Sequence, residues 1–284
     1  MGPRGTCLAN CELFGRFAGQ FESQVVPLWR EVYDSLVGRA QVAPGSAVLD
    51  VGTGTGEVAL RAGKAAGSLG RVFAVDTEEE MLEIGRRKAK ELGASNVTFE
   101  RMDVQSLDLP DDTFDSVIGN YSICCVMSYD KALRECLRVL KPGGRLTFNQ
   151  SGPGDPHEFK VAFDIFEKYK TTAPSKKLRE FREAKAMLSA AVERYKEVSA
   201  TLDLMRRLGY ESAEAETTTR VITYKDAGAF IDRLTIFNWR NEAEEIPRAD
   251  LSRFRSEAIR VLADRPLIRF SVSDEMVFFT GLKP

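Results

Sequence analysis

The sequence has few of the residues that build metal sites and disulfide frameworks. Among 284 residues there is one histidine, His157, and five cysteines without a C-x-x-C pair. An odd number of cysteines argues against a disulfide framework. Cys7 and Cys11 stand four residues apart, yet the chain offers too few further ligands to complete a metal site with them. We therefore expect reduced thiols and no bound metal.

Long apolar runs and an excess of charge of one sign are also absent. No stretch approaches the roughly 20 apolar residues of a membrane-spanning helix, and the N-terminal segment lacks the apolar centre of a secretory signal. A formal net charge of −2 gives no general electrostatic reason to bind nucleic acid, although a local basic patch stays open. These features predict a cytoplasmic protein without a membrane span or a nucleic-acid partner.

Glycine is concentrated in one short stretch, VLDVGTGTGEVAL, which runs from Val48 to Leu60. A β-branched apolar run, a glycine-rich turn and a segment of helix-forming residues follow one another there, which predicts a strand, a tight loop and a helix. Glycines let the main chain take positive φ and approach a ligand that any Cβ would keep away. The loop is therefore a candidate ligand-binding site.

The chain that follows alternates short apolar runs with longer amphipathic segments. Helices are predicted between four further strands, which are Arg71–Asp76, a strand ending at Asp103, a strand ending at Asn120, and a strand after a Pro142-Gly143-Gly144 turn. Strands that alternate with helices imply an α/β fold with a parallel sheet covered on both faces. Ligands of such sheets bind outside the carboxyl ends of the strands, which is where the acids and Asn120 fall.

The pattern outside this core predicts mainly helices. We expect N-terminal helices over residues 1–44, the core over 45–150, a helical insertion over 151–198, and over 199–284 the rest of the fold with closing antiparallel strands and additional helices. Basic residues in the insertion are most simply a solvated face, with capture of an acidic substrate as the alternative. The same charged helices could pair two copies of the chain, which leaves a homodimer open.

The glycine spacing separates two kinds of nucleotide site. The dehydrogenase fingerprint G-x-G-x-x-G, started at Gly52, requires a glycine where this chain has Glu57. The pattern is instead D-x-G-x-G-x-G, and with it the chain resembles the class I S-adenosylmethionine (SAM)-dependent methyltransferases. An LRVLKPGG stretch from Leu137 to Gly144 is similar to that of the ubiquinone/menaquinone-biosynthesis type. The resemblance covers residues 48–149 and implies a Rossmann-like, doubly wound, mostly parallel seven-stranded sheet with a helical cap insertion.

The resemblance also implies how SAM would be held, with S-adenosylhomocysteine as the product. The loop residues Gly52, Thr53, Gly54 and Gly56 would pass the methionine half, and Asp50 below them would hold its amino group. The nucleoside half would lie at the ends of the next strands. The residues implied there are Asp76 with Thr77 at the ribose, Met102 and Val104 flanking adenine, Asp103 at the adenine amino group, and Asn120 facing the methyl.

Elementary chemistry supports these assignments separately. One carboxylate can accept both hydroxyls of a ribose diol through charge-assisted hydrogen bonds. SAM carries no phosphate, and the chain has no phosphate-loop lysine of the G-K-[ST] type. The sulfonium and ammonium groups of SAM are cationic, which suits nearby acids such as Asp50 and Glu57.

Two residues are candidates for handling the methyl acceptor. A general base is needed only where the acceptor starts protonated, and His157, just after the loop that follows the fifth strand, is the candidate by type and place. Tyr121 could orient the acceptor, and a structural role is the alternative for both residues. Cys124 and Cys125, by contrast, are expected to be packing residues, as buried small hydrophobes.

We hypothesise that the protein methylates oxygen, nitrogen or carbon of a small, partly apolar molecule beneath the helical insertion. The GNYS tetrad, Gly119 to Ser122, differs from the Asn/Asp-Pro-Pro-aromatic motif of enzymes that methylate amino groups of nucleic-acid bases, and argues against that reaction. Two alternatives stay open: methylation of a protein side chain, with the basic helix as docking surface, and a non-catalytic SAM-binding scaffold.

Overall fold

The computed structural model describes residues 17–152, 156–263 and 270–284. Cys7 and Cys11 lie outside these residues. The strands are β1 Ala47–Val51, β2 Arg71–Asp76, β3 Val97–Arg101, β4 Phe114–Asn120, β5 Leu140–Ser151, β6 Glu211–Tyr224 and β7 Phe270–Leu282. The α-helices are α1 Ala18–Gln24, α2 Arg30–Arg39, α3 Glu57–Ala66, α4 Glu79–Leu92, α5 Tyr129–Val139, α6 His157–Glu167, α7 Lys176–Val192, α8 Val198–Leu208, α9 Ala227–Arg233, α10 Arg240–Ala243 and α11 Arg248–Ala263.

The strands form one seven-stranded sheet in the order β3-β2-β1-β4-β5-β7-β6. Strands β1 to β5 pair in parallel, and β7 runs antiparallel to β5. This arrangement confirms the predicted doubly wound, mostly parallel fold. The chain leaves β1 toward β2 and β3 on one side and returns to β4 on the other, so the strand order reverses between β1 and β4. That reversal is where open α/β sheets bind their ligands.

Strand β1 shows why the central strands read as continuous apolar runs. All five of its residues are buried, because a parallel sheet is covered by helices on both faces. Successive side chains point to opposite faces: Leu49 and Val51 belong to one apolar cluster and Val48 to another. Helix α5 buries Ala132, Leu133 and Cys136, the face that the sequence pattern predicts.

Two strand ends differ from the sequence-based prediction. Strand β3 ends at Arg101, two residues before Asp103. Strand β5 begins at Leu140 and includes the predicted turn. The early start of β5 is explained by pairing of the turn with the C-terminal segment. The Gly143 N–H donates to the Lys283 carbonyl at 2.8 Å, and the Lys283 N–H donates to the Gly144 carbonyl at 2.9 Å.

The described residues divide into two compact units, the first within 1–151, 184–218 and 276–284 and the second within 152–183 and 219–275. The limits of these units differ from the segment boundaries expected from the sequence, and those boundaries stay a prediction. The second unit has an aromatic core of its own, in which Trp239 stacks on Phe166 at 4.6 Å between ring centroids and contacts Phe254 edge-on. Within it, Arg182, one of the basic residues of the predicted insertion, pairs with Glu242 at 2.6 Å, so this arginine is a structural residue.

No helix in the described part of the chain combines the length and the apolar character that crossing a membrane requires.

The arginine of the LRVLKPGG stretch has a structural role. Arg138 pairs with Glu135 and Asp111 at 2.7 Å each and donates to the carbonyls of Leu107 and Leu109 at 2.9 and 2.6 Å. These contacts hold the segment between β3 and β4 against α5. The motif that carries the family resemblance therefore includes a residue that organises the fold.

We expect Arg138→Ala to lower the free energy of unfolding by about 2–3 kcal/mol, because two carbonyls and two carboxylates lose a charged donor. Urea denaturation measures the change. Arg206→Ala is the control, since Arg206 is exposed and meets Asp203 at 3.3 Å, and it should cost under about 0.5 kcal/mol. An equal cost in both variants would contradict the role of Arg138.

Candidate active site at the strand ends

The glycine loop and two of the predicted acids meet at the carboxyl ends of β1 and β2. The Thr53 hydroxyl donates to Asp50 Oδ2 at 2.6 Å, and the Thr53 N–H donates to the Val75 carbonyl at 2.9 Å. The Gly54 N–H donates to Asp76 Oδ2 at 2.8 Å. The loop is thus held between the two strands by the residues that the sequence analysis selects.

The three glycines of the loop are required for different reasons. All three have positive φ, at 65°, 55° and 86° for Gly52, Gly54 and Gly56. A Cβ on Gly52 would lie 2.3 Å from the Cβ of Ser122, and one on Gly56 would lie 2.7 Å from the Phe99 ring. A Cβ on Gly54 would meet nothing within 4 Å. Gly52 and Gly56 are therefore glycines for packing, whereas Gly54 faces open space that a ligand can enter.

This difference predicts opposite outcomes for two alanine substitutions. Gly56→Ala should cost about 2–4 kcal/mol of stability, because the new methyl group overlaps Phe99 in addition to the strain at positive φ. Gly54→Ala should cost about 1 kcal/mol from φ alone, yet weaken SAM binding at least about tenfold. Urea denaturation and titration calorimetry on both variants measure the two effects, and weak SAM binding confined to Gly56→Ala would contradict the prediction.

Asp50 is an acid in an unusual environment. It is 1% exposed, and only one of its oxygens, Oδ2, receives a hydrogen bond from a described residue, while Oδ1 has no partner among them. Burial raises the pKa of Asp50 to about 7, an effect that the hydrogen bond from Thr53 and the nearby Ala59 N–H reduce and that Asp76 reinforces. A buried carboxylate oxygen without a donor suits a cationic ligand group.

Asp76 has a carboxylate that is organised by backbone N–H groups. Its Oδ2 accepts from Gly54, and its Oδ1 accepts from Glu78 at 3.0 Å. Burial raises the pKa of Asp76, although these N–H groups oppose the shift. Because a carboxylate has about four acceptor positions, Asp76 retains capacity to accept from a ligand.

At the end of β4, Asn120 and Tyr121 share a hydrogen-bond partner, Asn149, that the sequence analysis missed. Asn149 is fully buried; its Nδ2 donates to Asn120 Oδ1 at 3.1 Å, and its Oδ1 accepts from the Tyr121 N–H at 2.8 Å. Tyr121 has φ of 50°, which is rare for a bulky residue, and its ring lies edge-on to Trp29 at 5.0 Å between centroids. Asn149 thus supports a strained residue at the strand end, as is common at functional sites.

The residues after β3 are placed less simply. Asp103 accepts from the backbone N–H of Gln105 at 2.9 Å and from its side-chain amide at 3.0 Å. Val104 is buried in the apolar core and Met102 packs against it. Thr77 directly follows β2, and its carbonyl accepts from Arg101 at 2.9 Å. The roles expected for these four residues at adenine and ribose stay predictions.

Two expectations about nearby residues change. Glu57 is not a spare acid, because Lys88 and Arg61 both pair with its carboxylate; burial would raise the pKa of Glu57, but these cations lower it. The prediction of buried packing residues is wrong for Cys125, which is exposed, and is confirmed in part for Cys124, which is half-buried and packs against the apolar core. Both residues follow β4 in a short 3₁₀ helix.

His157 is the first residue of α6 and is exposed, within the second unit. Its assignment as a general base stays a prediction.

Buried polar atoms without a hydrogen-bond partner near the glycine loop show that the described residues fit SAM as a ligand. Buried polar atoms are almost always hydrogen-bonded, yet Asp50 Oδ1, Thr55 Oγ and Ser122 Oγ have no partner among the described residues. Thr55 belongs to the glycine loop, and Ser122 touches it at Gly52. A polar, cationic ligand at the loop would satisfy such atoms. Sequence reasoning missed Thr55, Ser122 and Asn149, although polar residues next to a glycine loop or a strand end are the signal that could have found them.

Three features define the class of this protein. They are the strand order 3-2-1-4-5-7-6, a glycine loop without a phosphate-loop lysine, and acids at the carboxyl ends of β1 and β2. The protein is a SAM-dependent methyltransferase. The model of the ubiE/COQ5 methyltransferase family matches residues 22–229, and the chain belongs to this family.

Named relatives are consistent with this membership. The chain is 28% identical over 174 residues to the ubiquinone/menaquinone biosynthesis C-methyltransferase UbiE of Escherichia coli O1:K1 / APEC, covering 61% of this chain and 69% of the relative. It is 42% identical over 106 residues to the UbiE of Pasteurella multocida (strain Pm70), covering 37% and 40%. Haemonchus contortus phosphoethanolamine N-methyltransferase 2, solved in complex with SAM, shares the fold with a TM-score of 0.54 and 18% identity, covering 89% of this chain and 52% of that one.

Proposed function

We propose that this methyltransferase transfers the methyl group of SAM to a carbon atom of a small, partly apolar molecule. The names of the UbiE relatives favour carbon over oxygen and nitrogen, and place those relatives in quinone biosynthesis. A ring-containing quinone precursor is therefore the acceptor class that we infer. The observation that carries the cofactor half is the unpaired Oδ1 of buried Asp50 beside the open face of Gly54.

We propose that Asp50 holds the ammonium group of SAM and that Asp76 accepts both ribose hydroxyls. Gly54 leaves room for the methionine half, and Gly52 and Gly56 allow the tight packing that shapes the loop. Bound SAM supplies an electrophilic methyl group on a sulfonium. The chain's own task is to align the acceptor and exclude water, which can supply much of the rate acceleration.

Tyr121, supported by Asn149, is the residue that we propose orients the acceptor. Its strained backbone and its contact with Trp29 fix the ring at the end of β4. A carbon acceptor must also lose a proton, and His157 is the proposed base for that step.

We further propose that the enzyme acts in the cytoplasm, on an acceptor other than nucleic acid. The free thiols of Cys124, Cys125 and Cys136 support a reducing compartment. The balanced charge of the chain supports a small-molecule acceptor. A homodimer stays a proposal that sedimentation can test.

Titration calorimetry with SAM, S-adenosylhomocysteine and NAD tests the cofactor half. We expect micromolar binding of both adenosyl ligands and none of NAD; binding of NAD alone would overturn the assignment. The acceptor half is tested with methyl-labelled SAM and two hydroquinones, one with a free ring carbon and one with that carbon blocked. Label on the free ring carbon supports the proposal, and label on oxygen in both compounds overturns it.

A further inference from the structure

Two adjacent cysteines, Cys124 and Cys125, follow β4 and have no role in the proposed cofactor site. They end the 3₁₀ helix Ile123–Cys125. Cys125 is exposed, Cys124 is half-buried, and their sulfur atoms lie 3.8 Å apart. That separation allows one thiol to donate a hydrogen bond to the other sulfur.

The pair is asymmetric in a way that activates one thiol. The contact with Cys124 lowers the pKa of Cys125, although desolvation of the sulfur opposes the shift, and the same contact together with desolvation raises the pKa of Cys124. The thiolate is the nucleophilic form of cysteine. The more acidic thiol therefore belongs to the more exposed of the two residues.

A disulfide between the two neighbours is disfavoured by backbone geometry. Adjacent Cα atoms across a trans peptide are about 3.8 Å apart, whereas disulfides usually need about 4.4–6.8 Å. Cys124 is therefore poorly placed to displace a group that becomes attached to Cys125. An adduct on Cys125 should persist.

We propose that Cys125 is a thiol-exchange site for small disulfides of the glutathione class, with Cys124 as the positioning residue that donates to its sulfur. The Cys125 thiolate attacks one sulfur of the disulfide, a new S–S bond forms, and the original S–S bond breaks. The second half leaves as a thiolate and takes a proton from water. Cys125 is oxidised, the departing half is reduced, and Cys124 keeps its proton.

The adduct would act on the neighbouring strand end. The Cys125 thiol donates to the Tyr121 carbonyl at 3.2 Å, and the Cys125 N–H donates to the Ser122 carbonyl at 2.9 Å. Ser122 in turn occupies the space beside Gly52. Loss of the thiol proton and addition of a bulky group should therefore disturb the loop contact and weaken SAM binding, a consequence that rests on the proposed function.

Oxidised glutathione on the full chain, followed by tryptic mapping, tests the exchange site. The cysteines separate onto peptides 5–16, 102–131 and 135–138, so modification of Cys136, which is fully buried with its thiol pKa raised to about 12, serves as internal control. We expect an adduct on 102–131 that is lost in Cys125→Ala and retained in Cys136→Ala. No adduct on 102–131, or one that persists in Cys125→Ala, overturns the proposal.

The pH dependence of alkylation by iodoacetamide tests the role of Cys124. In Cys124→Ala the midpoint of the alkylation rate of Cys125 should move to higher pH, with the rate at neutral pH falling about three- to tenfold. An unchanged pH profile would overturn the positioning role.

SAM binding by the adducted protein tests the link to the cofactor site. Adducted protein should bind SAM at least about tenfold more weakly than unmodified protein. Equal affinity would overturn this link, whereas absence of SAM binding by unmodified protein would overturn the proposed function instead.

Discussion

Asp76→Ala is expected to abolish measurable SAM binding. The carboxylate is proposed to accept both ribose hydroxyls, and it also anchors the Gly54 N–H at 2.8 Å. Each charge-assisted hydrogen bond contributes about 1.5–3 kcal/mol, so the loss of two corresponds to at least about 100-fold in the dissociation constant. Titration calorimetry with SAM and with S-adenosylhomocysteine measures the loss.

An intermediate variant and a control complete the test of Asp76. Asp76→Asn keeps one side-chain oxygen but replaces the other with a donor, so we expect an intermediate loss of about tenfold or more. Glu79→Ala is the matched control, because Glu79 is half-exposed, pairs with Arg86, and lies three residues further along the chain. SAM affinity within about threefold of the parent in Asp76→Ala would refute the assignment of Asp76.

Asp50→Asn is expected to stabilise the ligand-free protein at pH 8 while it weakens SAM binding. Asp50 has a pKa of about 7 in the folded protein against 3.8 for an ordinary aspartate, so the folded chain binds the proton more tightly than the unfolded chain. The stability associated with that proton is fully present below pH about 4 and is lost as the pH rises through about 7. At pH 8 the buried charge thus costs up to about 4 kcal/mol, which a neutral asparagine avoids.

Urea denaturation of the parent and of Asp50→Asn, at pH 5.5 and at pH 8, measures this effect. We expect a gain in the free energy of unfolding at both pH values, about twice as large at pH 8 as at pH 5.5, where about half of the cost of the buried charge is already present. Calorimetry at pH 8 should show that the same variant loses at least about tenfold in SAM affinity, because the ammonium group loses its counter-charge. A variant that is less stable than the parent at pH 8 would show that Asp50 is not strained in the ligand-free state.

Asp115 provides a control in which the pKa shift, and therefore the expected change in stability on substitution, has the opposite sign. Burial alone would raise the pKa of Asp115, but hydrogen bonds from Lys141 and from the Ala47 N–H outweigh that effect and lower it. The stability that Asp115 contributes is present above pH about 4 and is lost as the pH falls. Asp115→Asn should therefore destabilise the protein at pH 8, where Asp50→Asn stabilises it.

The outcomes for particular residues show where sequence reasoning succeeds. The glycine loop, β2, β4 and the buried face of α5 are predicted well because local periodicity and composition determine them. The placement of Asp50 and Asp76 beside the loop is predicted well because carboxyl ends of parallel strands meet at one edge of a sheet. The exposed Cys125 and the salt-bridged Glu57 are predicted poorly, because their environments depend on residues distant in the chain.

The sequence by itself determined the class of fold, the order of strands and helices through the core, and the choice of a SAM-type loop over a dinucleotide loop. These follow from alternation, glycine spacing and the acids at strand ends, which are local properties of the chain. Only the tertiary structure decided that Gly54 is the open glycine, that Asp50 retains a buried oxygen without a donor, and that Asn149 supports Tyr121. Each of these depends on which side chains from separate strands and loops come within a few ångströms, and no local pattern encodes those distances.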